Sequence, residues 1–382
     1  MEVYLDNGAT TKVDPAVLKA MQQYFTNAYG NASSLHKAGR EARKAMDSAR
    51  EAIATKINAD PSEIVFTSGG SESDNLAIRG FARANAAHGR HIITTEIEHP
   101  AVLNTCKALQ AEGFEITFLG VDGEGFVDLK SLEKAIRRDT ILVSMIHANN
   151  EIGTIQDIAS VGNICASRGV CFHSDAVQSF TKVPIDVRKM GIGLLSVSGH
   201  KIHGPKGIGA LYVRKGLTLE SLIDGGPQEH GMRAGTENIP GMIGLARAAQ
   251  LIKAADIKRI VSLRNRLTKG LLSIRDSQLN GPSGARLERR LCNNVNVSFR
   301  GVEGEALLMY LDTKGVRVST GSACSSREEG PSHVLSAVGV DPECIMGSLR
   351  FTLSKFTTAK EIDYAIKATK ETVTHLRNIS AA

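Results

Sequence analysis

The stretch Ser196-Val197-Ser198-Gly199-His200-Lys201-Ile202-His203-Gly204-Pro205-Lys206-Gly207-Ile208-Gly209 sets a short apolar run against a glycine-rich turn, with one lysine just past the end of the run. In open α/β sheets ligands gather at the carboxyl ends of the strands, which is where this lysine falls. The flanking glycines allow close backbone approach. Among small residues, a lysine becomes a nucleophilic amine when desolvation and cationic neighbours lower its pKa. A loop lysine is ordinarily only solvated, so the meaning of Lys201 depends on what the neighbouring strands place beside it.

Similar runs bounded by turn residues occur at 64–67, 91–94, 115–119, 141–145, 170–173, 194–197 and 210–213, with amphipathic helical patterns between most of them, such as 71–88 and 100–112. Apolar runs without alternation, separated by helices, predict an α/β fold with a buried, mostly parallel sheet flanked by helices. Asp14-Pro15 reads as an N-cap and first helical residue, and Val17, Leu18, Met21 and Phe25 are expected on the buried face of the helix that follows. A second helix is expected over 35–57, with Ala42, Met46, Ala49 and Ile53 in period. From about 238 to 275 the pattern is helical, with a break near Asp256. A smaller α+β unit follows, with strands at 294–299, 317–319 and 348–352 and helices at 303–312 and from 358. The expected division is a large domain, 15–256, and a small domain made of 1–14 and 257–382.

The chain has 382 residues, 42% of them apolar and 23% charged, a composition that excludes disorder. Its formal charge of +6 comes from 46 basic and 40 acidic residues spread along the chain, a poor fit to nucleic-acid binding. No apolar run reaches the ~18 residues of a membrane span, and the start has no signal-peptide pattern, so a cytoplasmic protein is expected. The six cysteines form no CxxC pair and have no zinc-ligand spacing.

Two other strand ends complete a constellation with Lys201. Thr67-Ser68-Gly69-Gly70-Ser71-Glu72-Ser73-Asp74 is a small-residue turn opening a helix, which makes either a phosphate cup or an ordinary turn with Ser71 as N-cap. Phe172-His173-Ser174-Asp175 ends an apolar run on a carboxylate, which is costly to bury unless something cationic faces it. The 26 positions from Asp175 to Lys201 are enough for a crossover that sets both at one sheet edge. A phosphate cup, a buried acid and a strand-end lysine together meet the needs of pyridoxal 5′-phosphate: dipoles for the phosphate, an acid for the pyridinium nitrogen and an amine for the aldehyde. Neither GxGxxG nor GxxxxGK[ST] occurs, which weakens nucleotide readings.

These residues resemble the class V aminotransferase group of fold-type I pyridoxal-phosphate enzymes, and within it the NifS/IscS-type cysteine desulfurases. The resemblance runs along essentially the whole chain, through Tyr4-Leu5-Asp6-Asn7-Gly8-Ala9-Thr10-Thr11, Gly30-Asn31-Ala32-Ser33-Ser34-Leu35-His36, Glu98-His99, Asn149-Asn150-Glu151-Ile152-Gly153, Asp175 with Gln178, Ser198-Gly199-His200-Lys201, Arg233-Ala234-Gly235-Thr236-Glu237-Asn238 and Ser322-Ala323-Cys324-Ser325-Ser326. It implies that Lys201 bonds the cofactor's aldehyde, Asp175 faces the ring nitrogen, Gln178 the phenolic oxygen and His99 the ring face. Gly70, Ser71, Ser198 and His200 would contact the phosphate. Thr236 would reach the phosphate of a second subunit, which implies a homodimer. Asn31, Asn150 and Arg350 would bind the substrate carboxylate, with Asn150 also near the cofactor.

The resemblance further implies L-cysteine as substrate, L-alanine as product and a persulfide on Cys324. The sulfur would pass to an acceptor such as an iron–sulfur scaffold protein, and Cys324 is the position where a transient cluster would be held. A thiolate is the attacking form of cysteine, and the polar, glycine-flanked setting of Cys324 argues against burial and for a sulfur that moves between substrate and acceptor. Cys106, Cys165, Cys171, Cys292 and Cys344 read as small buried apolar residues. A selenocysteine lyase or a small-substrate aminotransferase of the same fold would share Lys201 and Asp175 but differ in substrate or in the need for Cys324; a non-catalytic sulfur-relay scaffold would not need Lys201 and Cys324 intact. Gly8 stands where alanine is usual in the family, Ala32 where proline is common, and Gly70-Ser71 where alanine and threonine are usual.

Overall fold

The computed structural model describes residues 1–320 and 331–380. Its strands are β1 (Val3–Tyr4), β2 (Ile64–Thr67), β3 (His91–Thr95), β4 (Glu115–Leu119), β5 (Thr140–Ser144), β6 (Cys171–Asp175), β7 (Leu194–Ser198), β8 (Gly209–Val213), β9 (Ser277–Leu279), β10 (Asn294–Phe299), β11 (Val316–Arg317) and β12 (Ser348–Thr352). Seven of them form one sheet in the order β2-β8-β7-β6-β5-β3-β4, in which β8 alone runs against its neighbours. The stretch 196–209 is therefore a strand, a one-turn 3-10 helix at Gly199–Lys201 and the start of an antiparallel return.

Both faces of this sheet are covered, which is why its strands read as continuous apolar runs. Ile64, Phe66, Ile93, Val143, Phe172, Leu195 and Tyr212 join one apolar cluster, while their neighbours Val65, Ile92, Leu142, Cys171, Leu194 and Leu211 join another on the opposite face. Helix Pro15–Thr26 begins as expected, with Asp14 Oδ1 accepting the Ala16 N–H at 2.7 Å. Val17 and Met21 are buried, but Leu18 and Phe25 are exposed. Positions 17 and 21 share one stripe, and 18 and 25 share the next stripe round, which faces solvent. The long helical stretch is two helices, Ile239–Leu251 and Ala254–Leu271, and Asp256 caps the second by accepting the Lys253 N–H at 3.1 Å.

A three-stranded antiparallel sheet, β12-β10-β9, lies over its own apolar cluster, which includes Val3, Leu5, Leu267, Val297, Phe299, Leu349 and Phe351. Strand β1 pairs with β11, and Asp6 forms a bridge to Thr352 at the end of β12. The amino-terminal segment thereby runs alongside the strand that carries Arg350. Among the described residues no helix is long and apolar enough to cross a membrane. Cys324 lies outside the described residues.

Candidate active site

A cavity of about 230 Å³ opens at the carboxyl ends of β6 and β7. Gly70, Ser71, His99, Asn150, Asp175, Gln178, Ser198, His200, Lys201 and Arg350, all expected from sequence, line it together. Asp175 is the last residue of β6 and Ser198 the last of β7, and the register pairs Asp175 with Ser196. The turn after β7 then lifts Lys201 to the cavity. The apolar runs thus set the strand ends, and the strand ends set the chemistry.

The segment just after β1 holds several of these groups at once. Lys201 Nζ donates to Gly8 O at 2.6 Å and to Ala9 O at 2.9 Å, and Gln178 Nε2 donates to Gly8 O at 3.0 Å. A Cβ at position 8 would fall 3.0 Å from Thr352 Cγ2 and 3.3 Å from Arg350 Cζ, so the glycine makes room for the threonine methyl and for the guanidinium. Gly70 answers a second close approach, since a Cβ there would lie 2.7 Å from Val177 Cγ2. The helix at this turn begins with Gly70 itself, and the cap position, Gly69, has no side chain to accept a hydrogen bond, so Ser71 is not an N-cap.

The electrostatics separate the groups. Burial pushes the Asp175 carboxyl up to about 6, while the Val177 N–H, 2.8 Å from Oδ1, and the charge of Lys201 pull the other way. Burial lowers His99 to about 4, and the charges of Lys201 and His333 add to this. His99 Nδ1 accepts the Ala101 N–H at 3.1 Å, so the neutral ring carries its proton on Nε2 and can only donate from there. Burial likewise holds His200 at about 4, with Lys201 and other lysines contributing. Arg350 is 2% exposed; its Nη1 donates to Asn150 O at 3.0 Å and its Nη2 to Asp6 Oδ1 at 3.1 Å.

Asn31 and Thr236 do not line this cavity, and both are exposed. Their near neighbours Ser33 and Glu237 line a separate surface cleft. Several groups that the sequence reading did not select are present: Asp74 and Glu151 line the cavity, and Glu98 and Asp6 are adjacent to its lining residues. The signal for Asp74 was available, as a carboxylate on the helix that opens the phosphate turn. Glu98 carried only the local sign of standing next to His99.

The donor set suits pyridoxal phosphate. Asp175 and Asp74 are 4% and 1% exposed, and Asp74 Oδ1 has no hydrogen-bond partner among the described residues, so the cavity has room in its electrostatics for a protonated ring nitrogen. The profile described as Aminotransferase class-V matches residues 3–365. A cysteine desulfurase IscS of Methanosarcina thermophila is 50% identical over 99% of this chain and 93% of its own length. Among solved structures, a NifS-like protein superposes with a TM-score of 0.92 at 40% identity, covering 98% of this chain and all of the other. A structure titled SspA in complex with cysteine gives 0.83 at 37% identity, over 93% of this chain and all of the other. With a lysine, a buried acid and an arginine converging at the strand ends, and with relatives this similar over 93% or more of their lengths, the chain belongs to the class-V aminotransferase family and, within it, to the NifS/IscS-type cysteine desulfurases.

Proposed function

We propose that this chain uses pyridoxal 5′-phosphate to remove sulfur from L-cysteine, releasing L-alanine and leaving a persulfide on Cys324. The observation that carries the reading is the meeting of Lys201, Asp175, His99 and Arg350 in one cavity at the ends of β6 and β7. Lys201 would hold the aldehyde, Asp175 the ring nitrogen, Gln178 the phenolic oxygen, and Gly70, Ser71, Ser198 and His200 the phosphate, with Thr236 supplied by a second copy in a homodimer. Bound pyridoxal phosphate supplies an electron sink for the bonds at the amino acid's α-carbon.

The protein's own groups bind, orient and move protons. Arg350 and Asn150, which line the cavity, bind the α-carboxylate and so fix which bond of the amino acid faces Lys201. Released from the aldehyde by the substrate's own amine, Lys201 Nζ would take the α-proton. The Gly8 and Ala9 carbonyls accept from this amine and help to hold it in place. His99 donates from Nε2 as charge develops near the substrate. The Cys324 thiolate attacks the substrate sulfur: an S–S bond forms as the carbon–sulfur bond breaks, the electron pair goes to the carbon side, and a proton completes alanine. The relative bound to cysteine supports this choice of substrate.

In this reading residues 15–256 form the cofactor-holding domain, and 1–14 with 257–382 the smaller domain that carries Cys324 and Arg350. The separate apolar cluster under the three-stranded sheet supports that division. The sulfur then passes to an acceptor protein such as an iron–sulfur scaffold, in the cytoplasm.

The test uses purified holoprotein. L-cysteine should change the visible absorbance of the bound cofactor in both wild type and Cys324→Ala, while alanine formation is lost only in the variant. Alanine release by Cys324→Ala at the wild-type rate would remove the persulfide step.

A further inference from the structure

Arg350 cannot be left alone in the wall of the cavity. It is 2% exposed, and a buried guanidinium without a counter-ion is strongly unfavourable. Its carboxylate partner is Asp6, through one Nη2···Oδ1 contact of 3.1 Å, while Nη1 goes to a backbone carbonyl and Nε has no partner among the described residues. Charge-assisted hydrogen bonds between arginine and carboxylate are typically ~2.7–2.9 Å and often paired. The hold of Asp6 is thus single and long. Burial also raises the Asp6 carboxyl, with Arg350 and Lys201 opposing, so the site is only partly suited to its ionised form.

The backbone of Asp6 is fixed independently of this contact. It bridges to Thr352, and Asn7 donates to Thr352 O from its backbone N–H at 3.3 Å and from Nδ2 at 2.8 Å. The Asp6 side chain keeps 20% exposure. Turning toward water costs the carboxylate its contact with the Ala9 backbone N–H as well as with Arg350, but displaces no strand.

We propose that Asp6 is a stand-in for the substrate's α-carboxylate: it holds Arg350 charged and aimed while no amino acid is bound, and yields the guanidinium when a ligand offers a carboxylate with two oxygens. This rests on the assignment of Arg350 to the substrate carboxylate. Asp6 is then a positioning residue that tunes selectivity, because every ligand with an α-carboxylate must compete with it and a ligand without one need not.

The experiment measures dissociation constants on holoprotein, read from the cofactor's visible absorbance, for L-alanine and for cysteamine, which has no carboxylate. Asp6→Asn keeps an oxygen for Nη2 but removes the charge. L-alanine should bind about five-fold more tightly, the scale of one competing hydrogen bond, and cysteamine should be unchanged. Unchanged or weaker alanine binding in a variant with a normal thermal melt, or an equal shift for cysteamine, overturns the proposal. If Asp6→Asn does not fold, Asp6→Glu, which keeps the charge, should bind alanine as weakly as wild type or more weakly; tighter binding overturns it. Arg350→Lys separates the two assignments. If alanine affinity ignores that change, the role of Arg350 is wrong; if it collapses while Asp6→Asn has no effect, only the role of Asp6 is wrong.

Discussion

Asp175 at the end of β6 and Asp74 on the helix Gly70–Asn75 line the same cavity, and both are almost wholly buried, yet their surroundings raise their carboxyls unequally. Asp175 takes a backbone N–H on Oδ1 and is raised only to about 6. Asp74 has an oxygen without a partner among the described residues, and burial followed by the charge of Asp175 pushes it well above the usual carboxylate range. His173 does not serve as its counter-ion. Nε2 is 3.7 Å away and hydrogen-bonds to Ser196 Oγ, while burial holds the ring at about 3, so it is neutral. A donated backbone N–H and the nearness of Lys201 favour the ionised form of Asp175, while at Asp74 the Ser196 hydroxyl opposes burial and the charge of Asp175. Asp175 is thus the member of the pair inclined to the carboxylate form, and in the proposed function it is the one that would face a ring nitrogen.

The largest effect should come from removing the ionised member. Asp175→Asn should retain the cofactor but lose about 10²–10³-fold in turnover, the scale of losing one preorganised electrostatic contact. Steady-state alanine formation checks it, and turnover near wild type would break the assignment. Next comes the place where the two regions touch. In Gly70→Ala the new Cβ would lie 2.7 Å from the stiff Val177 side chain, whose backbone N–H holds Asp175. Thermal melts should show a loss of ~1–3 kcal/mol, as for an overpacked core. Val177→Ala in the same chain should restore most of it; no rescue would mean the strain lies elsewhere.

What was legible in the sequence follows from range. Lys201, Asp175, Ser71 and His99 stand in contiguous motifs next to apolar runs, and those runs are continuous because both faces of the sheet are covered. Strands Asn294–Phe299 and Ser348–Thr352 were readable to the residue. Strands Val3–Tyr4 and Ser277–Leu279 were not, since two or three residues show no period. Leu18 and Phe25 were misplaced because helical period alone does not say which of two adjacent stripes meets the core. Asp6 escaped notice because its partner Arg350 is 344 positions away, and nothing near Asp74 or Glu98 announces that their side chains are closed off from water. Pairings across the chain and burial of single acids belong to the fold, not to any segment.

A smaller effect should follow Asp74→Asn, because an amide resembles a protonated carboxyl. Turnover should stay within about ten-fold of wild type. A fall as deep as that of Asp175→Asn would show Asp74 ionised and end the contrast between the two.

The smallest effect concerns a third acid of the cluster. Burial raises Glu98 from 4.5 to about 8, with the charge of Asp175 adding, although Thr95 Oγ1–H at 2.6 Å and the Ile146 N–H at 2.9 Å both favour its ionised form. Between those values the folded chain keeps a proton that the unfolded chain has lost, so this group's contribution falls as pH rises through the window. The buried histidines act the other way. His173 and His147, lowered to about 3 and about 4, make stability rise with pH only up to their ordinary 6.5. Lys182, lowered by burial to about 8, acts only above that value. From pH 6.5 to 8 the decline due to Glu98 is therefore least masked. The thermal midpoint of Glu98→Gln should fall less across this interval than that of wild type. An identical slope would mean that Glu98 is already ionised beside Asp175, and that the single backbone N–H on Asp175 does not decide the charge of the cluster.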